Sequence, residues 1–571
     1  MAVRDKGEPV TDPRLEGAEA DPEGAAPPPE IAARVDNVAR NSAIMAIGTF
    51  GSRILGFVRA ALLTGAIGAG VAADSFTIAN TLPTQLFVLI NGGLISALLI
   101  PQLTKAMLRK DGGQDFSDRL ITLCLLVLGG ATLLSIAATP WIIGALTKDN
   151  AGQAFINLTT FMAYICMPQL FFYGLYAVLG QVLQARGNFL AFAWAPAWAN
   201  IIQIAGLGWF ILKWDKQPAV EPWTTEMILV LGVSTTLGIV IQGLSLAWPL
   251  WKSGFRYRPR FGWRGYGFGD MSRMTGWTVG ALLISQFYGF VSTAVMSPEE
   301  SDGPAAAGNM VQALAYSLYI LPHSIITTSI VTALFPAMSR AHESGDLAEM
   351  RRRVVSGLKS PAVLLLPAVA AFIALGRPIV KTLFPGIQYD ASRGIDEPGS
   401  IALVLAIMAV GLMPFGITAL KQRYCFARGD GWMNFWLVAL MTVINLIGAA
   451  VAYWVAPREY VVATVAAGAS IANIVSAAAF LIVARGQLGG LGMGEVSRLW
   501  IRLALASAVA GLAGWGASTL VFDPASPWLW HLLALVAGGA VMGVVFLGLT
   551  KLLRIREVDD MLAPILRRLP I

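Results

Sequence analysis

Charged residues are scarce in this chain. Of its 571 residues, 13% are charged and 56% are hydrophobic, whereas soluble domains carry about 25% charged residues. Cysteine and histidine are also rare, with three of each. Cys124, Cys166 and Cys425 stand in or beside hydrophobic segments without CxxC spacing, so they indicate neither a disulfide framework nor a metal site. The composition excludes a soluble fold and predicts a polytopic α-helical membrane protein.

The hydrophobic segments predict an all-α fold of about fourteen transmembrane helices. Lys and Arg concentrate in alternate connections, and such residues mark the cytoplasmic side. With an even number of spans, both termini are expected to be cytoplasmic. The net charge of +7 follows from these loops and does not indicate binding to nucleic acid.

The first predicted span carries charge where a membrane helix normally has none. Residues 43–66 are apolar or small except for Arg53, Arg59 and a few hydroxyls. An arginine near the middle of a span costs about 2.5 to over 10 kcal/mol, so it is expected to face water, a partner or a polar ligand. Ser52 and Arg59 are seven residues apart and share one helix face, with Arg53 about 100° around the helix.

The second predicted span returns polar side chains toward this helix. Asp74 is the only carboxylate in the hairpin, and pairing the two arms places Asn80 level with Arg59 and Gln85 level with Arg53. We interpret this inward polar seam as the functional site. Two alternatives stay open: each arginine is structural, bonded to a backbone carbonyl or to Asp74, or Asp74 is a helix N-cap at the outer mouth.

An internal repeat divides the chain. Residues 52–61 read SRILGFVRAA and residues 285–294 read SQFYGFVSTA, with five of ten positions identical. Each is followed by a span with Leu-Pro, at residues 82–83 and 321–322. Two parallel lobes of six helices plus two C-terminal helices follow from this pattern. In the second lobe Gln286 and Ser292 replace the two arginines, so positive charge is concentrated in the first lobe.

The connection between the lobes interleaves arginines with aromatic residues, a pattern that suits either anionic lipid headgroups or a simple topology-setting loop.

Six regions are predicted. The regions are a disordered cytoplasmic tail (1–38), the first lobe (39–251), the basic cytoplasmic linker (252–272), the second lobe (273–485), the last two spans (486–550) and a basic cytoplasmic C-terminal segment (551–571).

The motifs of the first hairpin resemble the MurJ (MviN) family. The matching segments are residues 52–59, Gly68-Ala69-Gly70, residues 73–76 and Leu82-Pro83, together with residues 192–196 and Asn200 in the fifth span. The resemblance covers roughly residues 40–555. It implies a fold like that of the multidrug and toxic compound extrusion (MATE) transporters and transport of lipid II, the undecaprenyl-pyrophosphate-linked peptidoglycan precursor. It also implies that Ser52, Arg53, Arg59 and Asp74 line the cavity and that the last two spans hold the lipid tail.

The sequence departs from the family pattern at several positions. The best-known members place two adjacent arginines where this chain has Phe87 and Val88, an acidic residue where it has Asn91, and an arginine where it has Ser317. Pyrophosphate would then be held by Arg53 and Arg59 alone. Either Asn80, Gln85 and Asn91 share the headgroup contacts, or the cargo is another lipid-linked glycan.

The expected function is therefore transport rather than catalysis: an alternating-access lipid II flippase of the bacterial cytoplasmic membrane. No cofactor is expected, and without a nucleotide-binding motif the energy would come from membrane potential or an ion gradient. Expected partners are lipid II, membrane lipids and cell-wall synthesis proteins. Three alternatives stay open. A cation-coupled drug exporter would need buried carboxylates, and the span interiors offer only Asp74. A lipid-processing enzyme would need acidic or histidine clusters, and the third alternative is a scaffold of the cell-wall machinery.

Overall fold

The computed structural model describes residues 48, 50–91, 114–186, 188–214, 223–262, 273–301 and 306–559. The predicted tail, the inner part of the second span, much of the linker and the end of the C-terminal segment lie outside these residues. All three cysteines are buried free thiols. We call the end of the bundle that carries the 295–309 and 384–397 connections the outer end, following the orientation predicted from the basic loops.

The first lobe contains six spans, and the third, fourth and sixth each consist of two consecutive helices. The third span breaks before Pro140, and the fourth breaks at Pro168, because proline has no N–H to continue a helical ladder. The helices are Phe50–Ile67 (first span), Val71–Ile90 (second), Gln114–Ala137 and Thr139–Leu146 (third), Gln153–Cys166 and Gln169–Ala185 (fourth), Phe189–Trp214 (fifth), and Thr225–Leu244 and Ala247–Lys252 (sixth).

The second lobe repeats this plan, and two more helices follow it. Its helices are Arg273–Val295 (seventh span), Asn309–Pro322, the π-helical His323–Thr327 and Thr328–Glu343 (eighth), Leu347–Lys359, Ala362–Ala374 and Gly376–Leu383 (ninth), Glu397–Val410 and Leu412–Ala427 (tenth), Gly431–Trp454 (eleventh) and Val461–Gln487 (twelfth). Met493–Thr519 and Trp528–Leu552 form the thirteenth and fourteenth spans. Two short strands, Tyr389–Asp390 and Ile395–Asp396, pair in the loop before the tenth span.

Aspartate side chains fix where several of these helices begin. Asp396 accepts a hydrogen bond from the Gly399 N–H (2.9 Å), and Asp430 accepts one from the Met433 N–H (2.9 Å). An N-cap oxygen satisfies an amide that has no partner within the helix, so these residues start the tenth and eleventh spans at the membrane surface.

The predicted membrane fold is confirmed, and the predicted count of fourteen spans is approximate. Among the described residues, twelve helices are long and apolar enough to cross a membrane, or thirteen if the tenth span, bent by 49° at Gly411, counts as one. Val71–Ile90 occupies the remaining predicted position, and its continuation lies outside the described residues.

Equivalent helices pack in equivalent ways in the two lobes. The fifth span packs along the sixth, and the eleventh packs along the twelfth. The thirteenth and fourteenth spans pack on each other and against the ninth span of the second lobe. The two lobes meet along the first, second, seventh and eighth spans, which are the helices that carry the repeated motif.

Candidate functional site

Ser52 and Arg59 both face the fifth span, as their seven-residue spacing predicts. The Asn200 side-chain amide donates to the Ser52 carbonyl (3.1 Å) and to its hydroxyl (3.4 Å). Arg59 donates from Nη1 to the Gln203 Oε1 atom (3.0 Å), while its Nε is buried without a partner. This face of the first span is therefore fixed within its own lobe by neutral groups.

Arg53 points toward the other lobe. Its Nη1 atom donates to the Ser324 hydroxyl at 2.6 Å, and Ser324 in turn donates to the Leu321 carbonyl. Ser324 lies in the π-helical segment of the eighth span. A single turn of π-helix inside an α-helix is rare and occurs often at functional sites. Arg53 thus bridges the two lobes.

A second bridge joins the lobes in the opposite direction. Gln286 of the seventh span stands where the repeat has Arg53, and its side-chain amide donates to the Gln85 carbonyl of the second span (3.2 Å). The Gln85 side chain lies beside Gly289, where an added Cβ would be 3.6 Å from its Nε2 atom. Gln85 therefore lies at the lobe interface.

Asn80 and Asn91 lie apart from the arginines. Asn80 Oδ1 accepts a hydrogen bond from the Gln169 side chain (3.3 Å), which also donates to Thr236 (3.0 Å). Asn91 ends the described part of the second span, and its N–H bonds to carbonyls of that helix. Neither arginine bonds to Asn80 or Gln85, so the predicted seam is brought together only in part.

Arg53 and Arg59 have no ion pair with a described residue. Arg59 donates to Gln203 and not to Asp74, and Arg53 donates to Ser324. The predicted structural alternatives, a backbone carbonyl or Asp74 as partner, are therefore wrong for both. Their charges are held in place by neutral oxygens and stay uncompensated by a carboxylate.

Asp74 is an N-cap, but for a helix of the other lobe. Its side chain is fully buried, and Oδ1 accepts a hydrogen bond from the Met310 N–H (2.6 Å) at the start of the eighth span. A carboxylate here also interacts favourably with the positive end of the helix dipole. A Cβ at the adjacent Gly308 would overlap this carboxylate, so glycine makes the approach possible.

A second buried carboxylate closes the outer end beside Asp74. Glu397 at the start of the tenth span accepts hydrogen bonds from the Ala69 N–H of the first hairpin (3.2 Å) and from the Gln388 N–H (2.5 Å). Gly386 approaches the Gly65 backbone so closely that a Cβ there would overlap it. The tight turn of the first hairpin is thus seated against the loop that precedes the tenth span.

Glu299 joins the same end at the surface. It pairs with Lys148 (2.8 Å), accepts from the Asn150 side chain (3.0 Å) and lies 3.9 Å from Arg458. The bond from Lys148 holds the pKa of this carboxyl below its usual value. We call this group the Glu299 latch. The hydrogen bonds between described residues of the two lobes all lie in one region, which extends from Arg53 to the outer end. The structure is therefore closed on the outer side.

The positions that depart from the family pattern are apolar or self-contained. Phe87 stacks on Tyr173, with ring centroids 6.1 Å apart. Ser317 donates to the Leu314 carbonyl of its own helix (2.7 Å). His323 is buried with its ring 4.2 Å from that of Phe415, and its Nδ1 atom has no partner. Where the resemblance implies further cationic groups, Phe87 therefore packs on an aromatic ring and Ser317 bonds within its own helix.

Sequence reasoning missed several members of the site. Gln203, Gln169 and Ser324 come from three other spans, and a signal for Gln203 and Gln169 was available, because an amide side chain inside an apolar span is costly without a partner. Two further carboxylates are buried near the starts of spans, outside the span interiors in which Asp74 is the only one predicted. Glu397 is buried, and so is Asp118, which accepts from the Arg258 N–H (3.2 Å).

Comparison with known proteins finds relatives that match along most of the chain. The probable lipid II flippase MurJ of Synechocystis sp. is 24% identical over 537 residues, which cover 92% of this chain and 96% of that protein. The corresponding protein of Vibrio cholerae is 25% identical over 542 residues, covering 91% and 97%.

Solved structures show the same fold. A lipid II flippase MurJ in an inward closed conformation matches with a TM-score of 0.68 at 19% identity, covering 89% of this chain and 99% of that one. An inward-facing MATE multidrug transporter matches with a TM-score of 0.60 at 16% identity, covering 77% and 94%. The profile of the family described as lipid II flippase MurJ matches residues 63–537. This chain belongs to the lipid II flippase MurJ family.

Proposed function

We propose that this protein moves lipid II from the inner to the outer leaflet of the bacterial cytoplasmic membrane. The observation that carries the proposal is the pair Arg53 and Arg59 of the first span, which have no ion pair with a described residue: Arg53 bonds across the lobe interface and Arg59 bonds within the first lobe. Uncompensated charge inside a membrane is costly and marks substrate paths. The family relationship supplies the class of cargo.

The chemistry of the two arginines suits a pyrophosphate. A guanidinium is permanently charged and presents a planar fork of donors that matches phosphate oxygens. Ser324 and Gln203 hold the two groups by single hydrogen bonds to neutral oxygens, and no carboxylate of a described residue neutralises their charge. Ser52, with the amides of Asn80, Gln85 and Asn91, would serve the sugar and peptide part.

The closed outer end supports an alternating-access cycle. Opening to the outside requires the Asp74 cap, the Glu397 contact and the Glu299 latch to separate, while the Arg53–Ser324 bridge lies at the pivot level. Both termini would be cytoplasmic, and the lipid tail would stay in the bilayer against the last two spans. Because one charge crossing about 100 mV corresponds to roughly 2.3 kcal/mol, membrane potential is sufficient to reset a cationic cavity.

A second candidate is the transport of another lipid-linked glycan. Phe87 packs on Tyr173 where family members carry cationic groups, so the headgroup would meet an aromatic wall on that side. A cation-coupled exporter is less well supported, because the buried carboxylates Asp74 and Glu397 already accept backbone N–H groups at helix ends.

The test measures lipid II at the outer leaflet of cells depleted of their own flippase. The cells would be complemented with the wild-type chain, with Arg53→Ala or Arg59→Ala, or with Ser292→Ala as a matched control, since Ser292 is the repeat equivalent of Arg59 and bonds only within its own helix. We expect rescue by the wild type and the control and failure of both arginine variants at equal membrane levels. Failure of the wild type despite correct insertion would contradict lipid II as cargo and favour another glycan or a scaffold role. Rescue by every variant would reduce the arginines to structure.

A further inference from the structure

A groove on the membrane-facing side of the first lobe has no role in the transport path described above. It encloses about 960 Å³ between the first, fifth and sixth spans at their inner ends. We call it the fifth-span groove. Its walls include Leu55, Leu190, Trp194, Trp198, Trp248 and Lys252.

The wall contributed by the fifth span is apolar and faces outward. Leu190, Trp194, Trp198 and Ile201 recur along one helix face and are each about half exposed. From Asn188 to Ile201 the helix rises about 20 Å, which is about two thirds of the roughly 30 Å hydrocarbon core. The groove therefore extends through one leaflet and slightly past the middle of the bilayer.

The inner end of the groove is polar and cationic. Lys252 lies over the Trp248 ring (5.4 Å), and the exposed Arg256 lies over the Trp251 ring (4.5 Å). Neither cation has an ion pair with a described residue. Arg260, four residues further on, is by contrast neutralised by Asp115 and Asp118. Lys252 therefore leaves a positive charge open at the inner end of the groove. Arg256 follows four residues further along the chain, outside the groove lining, and bonds there to the Trp251 and Phe255 carbonyls.

The groove is sealed from the central site. A Cβ added to Gly48 would lie 2.9 Å from the Ala193 Cβ, so the first and fifth spans are in close contact there. One helical turn further along, Asn200 bonds to Ser52 across the same seam. A lipid in the groove would not connect with a headgroup at Arg53 and Arg59.

We propose that the fifth-span groove binds an anionic phospholipid of the inner leaflet. One acyl chain lies along the face of Trp194 and Trp198, and the phosphate is held by Lys252 and Arg256. Indole rings favour the interface between hydrocarbon and headgroups, and basic residues there attract anionic lipids. Because Leu55 of the first span forms part of the wall, the bound lipid braces the helix that carries both arginines. The site does not depend on which cargo is transported.

Lipid binding to the purified full-length chain tests the proposal. Native mass spectrometry would follow retention of phosphatidylglycerol and phosphatidylcholine by the wild type, by Lys252→Gln/Arg256→Gln, and by Arg485→Gln as a control at another inner helix end. We expect the double variant to lose about thirtyfold in phosphatidylglycerol affinity, since each basic residue contributes roughly fivefold, and the control to stay within twofold. Equal retention by all three proteins, or no preference for phosphatidylglycerol, would overturn the proposal.

Photo-crosslinking in cells identifies the occupant. A benzophenone amino acid would replace Trp198, and the same probe at Trp209, an exposed residue near the other end of the fifth span, reports ordinary contact with lipid. We expect adducts at position 198 to be enriched in anionic phospholipid relative to position 209. Adducts with a polyprenyl pyrophosphate, or adducts that match those at position 209, would reject the groove as a phospholipid site.

Discussion

The first and seventh spans carry the same motif but differ in charge. Arg53 corresponds to Gln286 in the repeat, and each crosses to the opposite lobe: Arg53 bonds to Ser324, and Gln286 bonds to the Gln85 carbonyl. Counted from the repeated Leu-Pro pairs, Gln85 and Ser324 are themselves equivalent positions. The two bridges are therefore related by the approximate symmetry of the lobes.

The two lobes differ in charge but not in how the motif bridges them. A neutral amide in the second lobe makes the same kind of crossing bond as the guanidinium in the first, so bridging the lobes does not require an arginine. Ser292, which replaces Arg59, donates only to the Gly289 carbonyl of its own helix. What the first lobe adds is two positive charges, and these are the features that a pyrophosphate would recognise.

The largest effect is expected when the first lobe is made like the second. Arg53→Gln removes the positive charge and should weaken lipid II binding about tenfold to a hundredfold, because a hydrogen bond to a charged group contributes roughly 1.5–3 kcal/mol. Binding of purified protein to lipid II would be titrated, with the thermal midpoint measured alongside to separate binding from stability. Unchanged binding would mean that the charge has no part in recognition.

Moving the charge across the interface should reverse part of that loss. In Arg53→Gln/Gln286→Arg, the new guanidinium can still donate to the Gln85 carbonyl, and the charge of the central level is restored. We expect lipid II binding to recover to within about tenfold of wild type, at roughly 1.4 kcal/mol per decade. If the double variant binds no better than Arg53→Gln alone, the position of the charge decides recognition rather than its sign.

The Asp74 cap should have a smaller effect, on conformation. Asp74→Asn weakens a charged cap of the eighth span, which is worth about 1 kcal/mol, and should raise opening of the outer end about fivefold. Labelling of Ser297→Cys by an impermeant maleimide reports this opening, because Ser297 is buried at that end. Ala525→Cys, exposed on the outer loop, corrects for reagent reactivity. Equal labelling rates with and without Asp74→Asn would show that the cap does not hold the lobes together.

Acid should weaken the Glu299 latch. The pKa of this carboxyl is lowered in the closed state by Lys148, so the latch stabilises closure above the usual carboxyl pKa and loses that contribution as the pH falls through the lowered value. A surface pair contributes at most about 1 kcal/mol, so Ser297→Cys labelling should rise less than about fivefold. Glu299→Gln should remove the pH dependence, and a persistent dependence would assign it to another group.

The smallest effect is expected at Ser292. Its hydroxyl bonds only within the seventh span, so Ser292→Ala should change stability by less than about 0.5 kcal/mol and leave flipping within twofold of wild type. A marked loss in the lipid II exposure assay would show that this second-lobe position takes part in transport beyond what its contacts explain.

Local pattern predicted the fold well and the contacts poorly. Hydropathy and the repeat gave the class, the lobes and the shared face of Ser52 and Arg59, because each depends on spacing along one helix. Gln203 accepts a hydrogen bond from an arginine 144 residues away, and Ser324 accepts one from an arginine 271 residues away. No periodicity of the sequence links positions so distant. Asp74 was weighed as an N-cap, but the capped helix belongs to the other lobe, which only the packing of the lobes determines.

The π-helical segment His323–Thr327 gives the eighth span a built-in register offset. A π turn holds one residue more than an α turn, with i to i+5 bonds. If it relaxed to an α-helix, the helix beyond it would rotate by about 100° and advance about 1.5 Å without losing its hydrogen-bonded backbone. Ser324 lies inside this segment, and Met310 lies in the α-helix that precedes it. The eighth span can therefore rotate relative to either Arg53 or Asp74 while it keeps its hydrogen bond to the other.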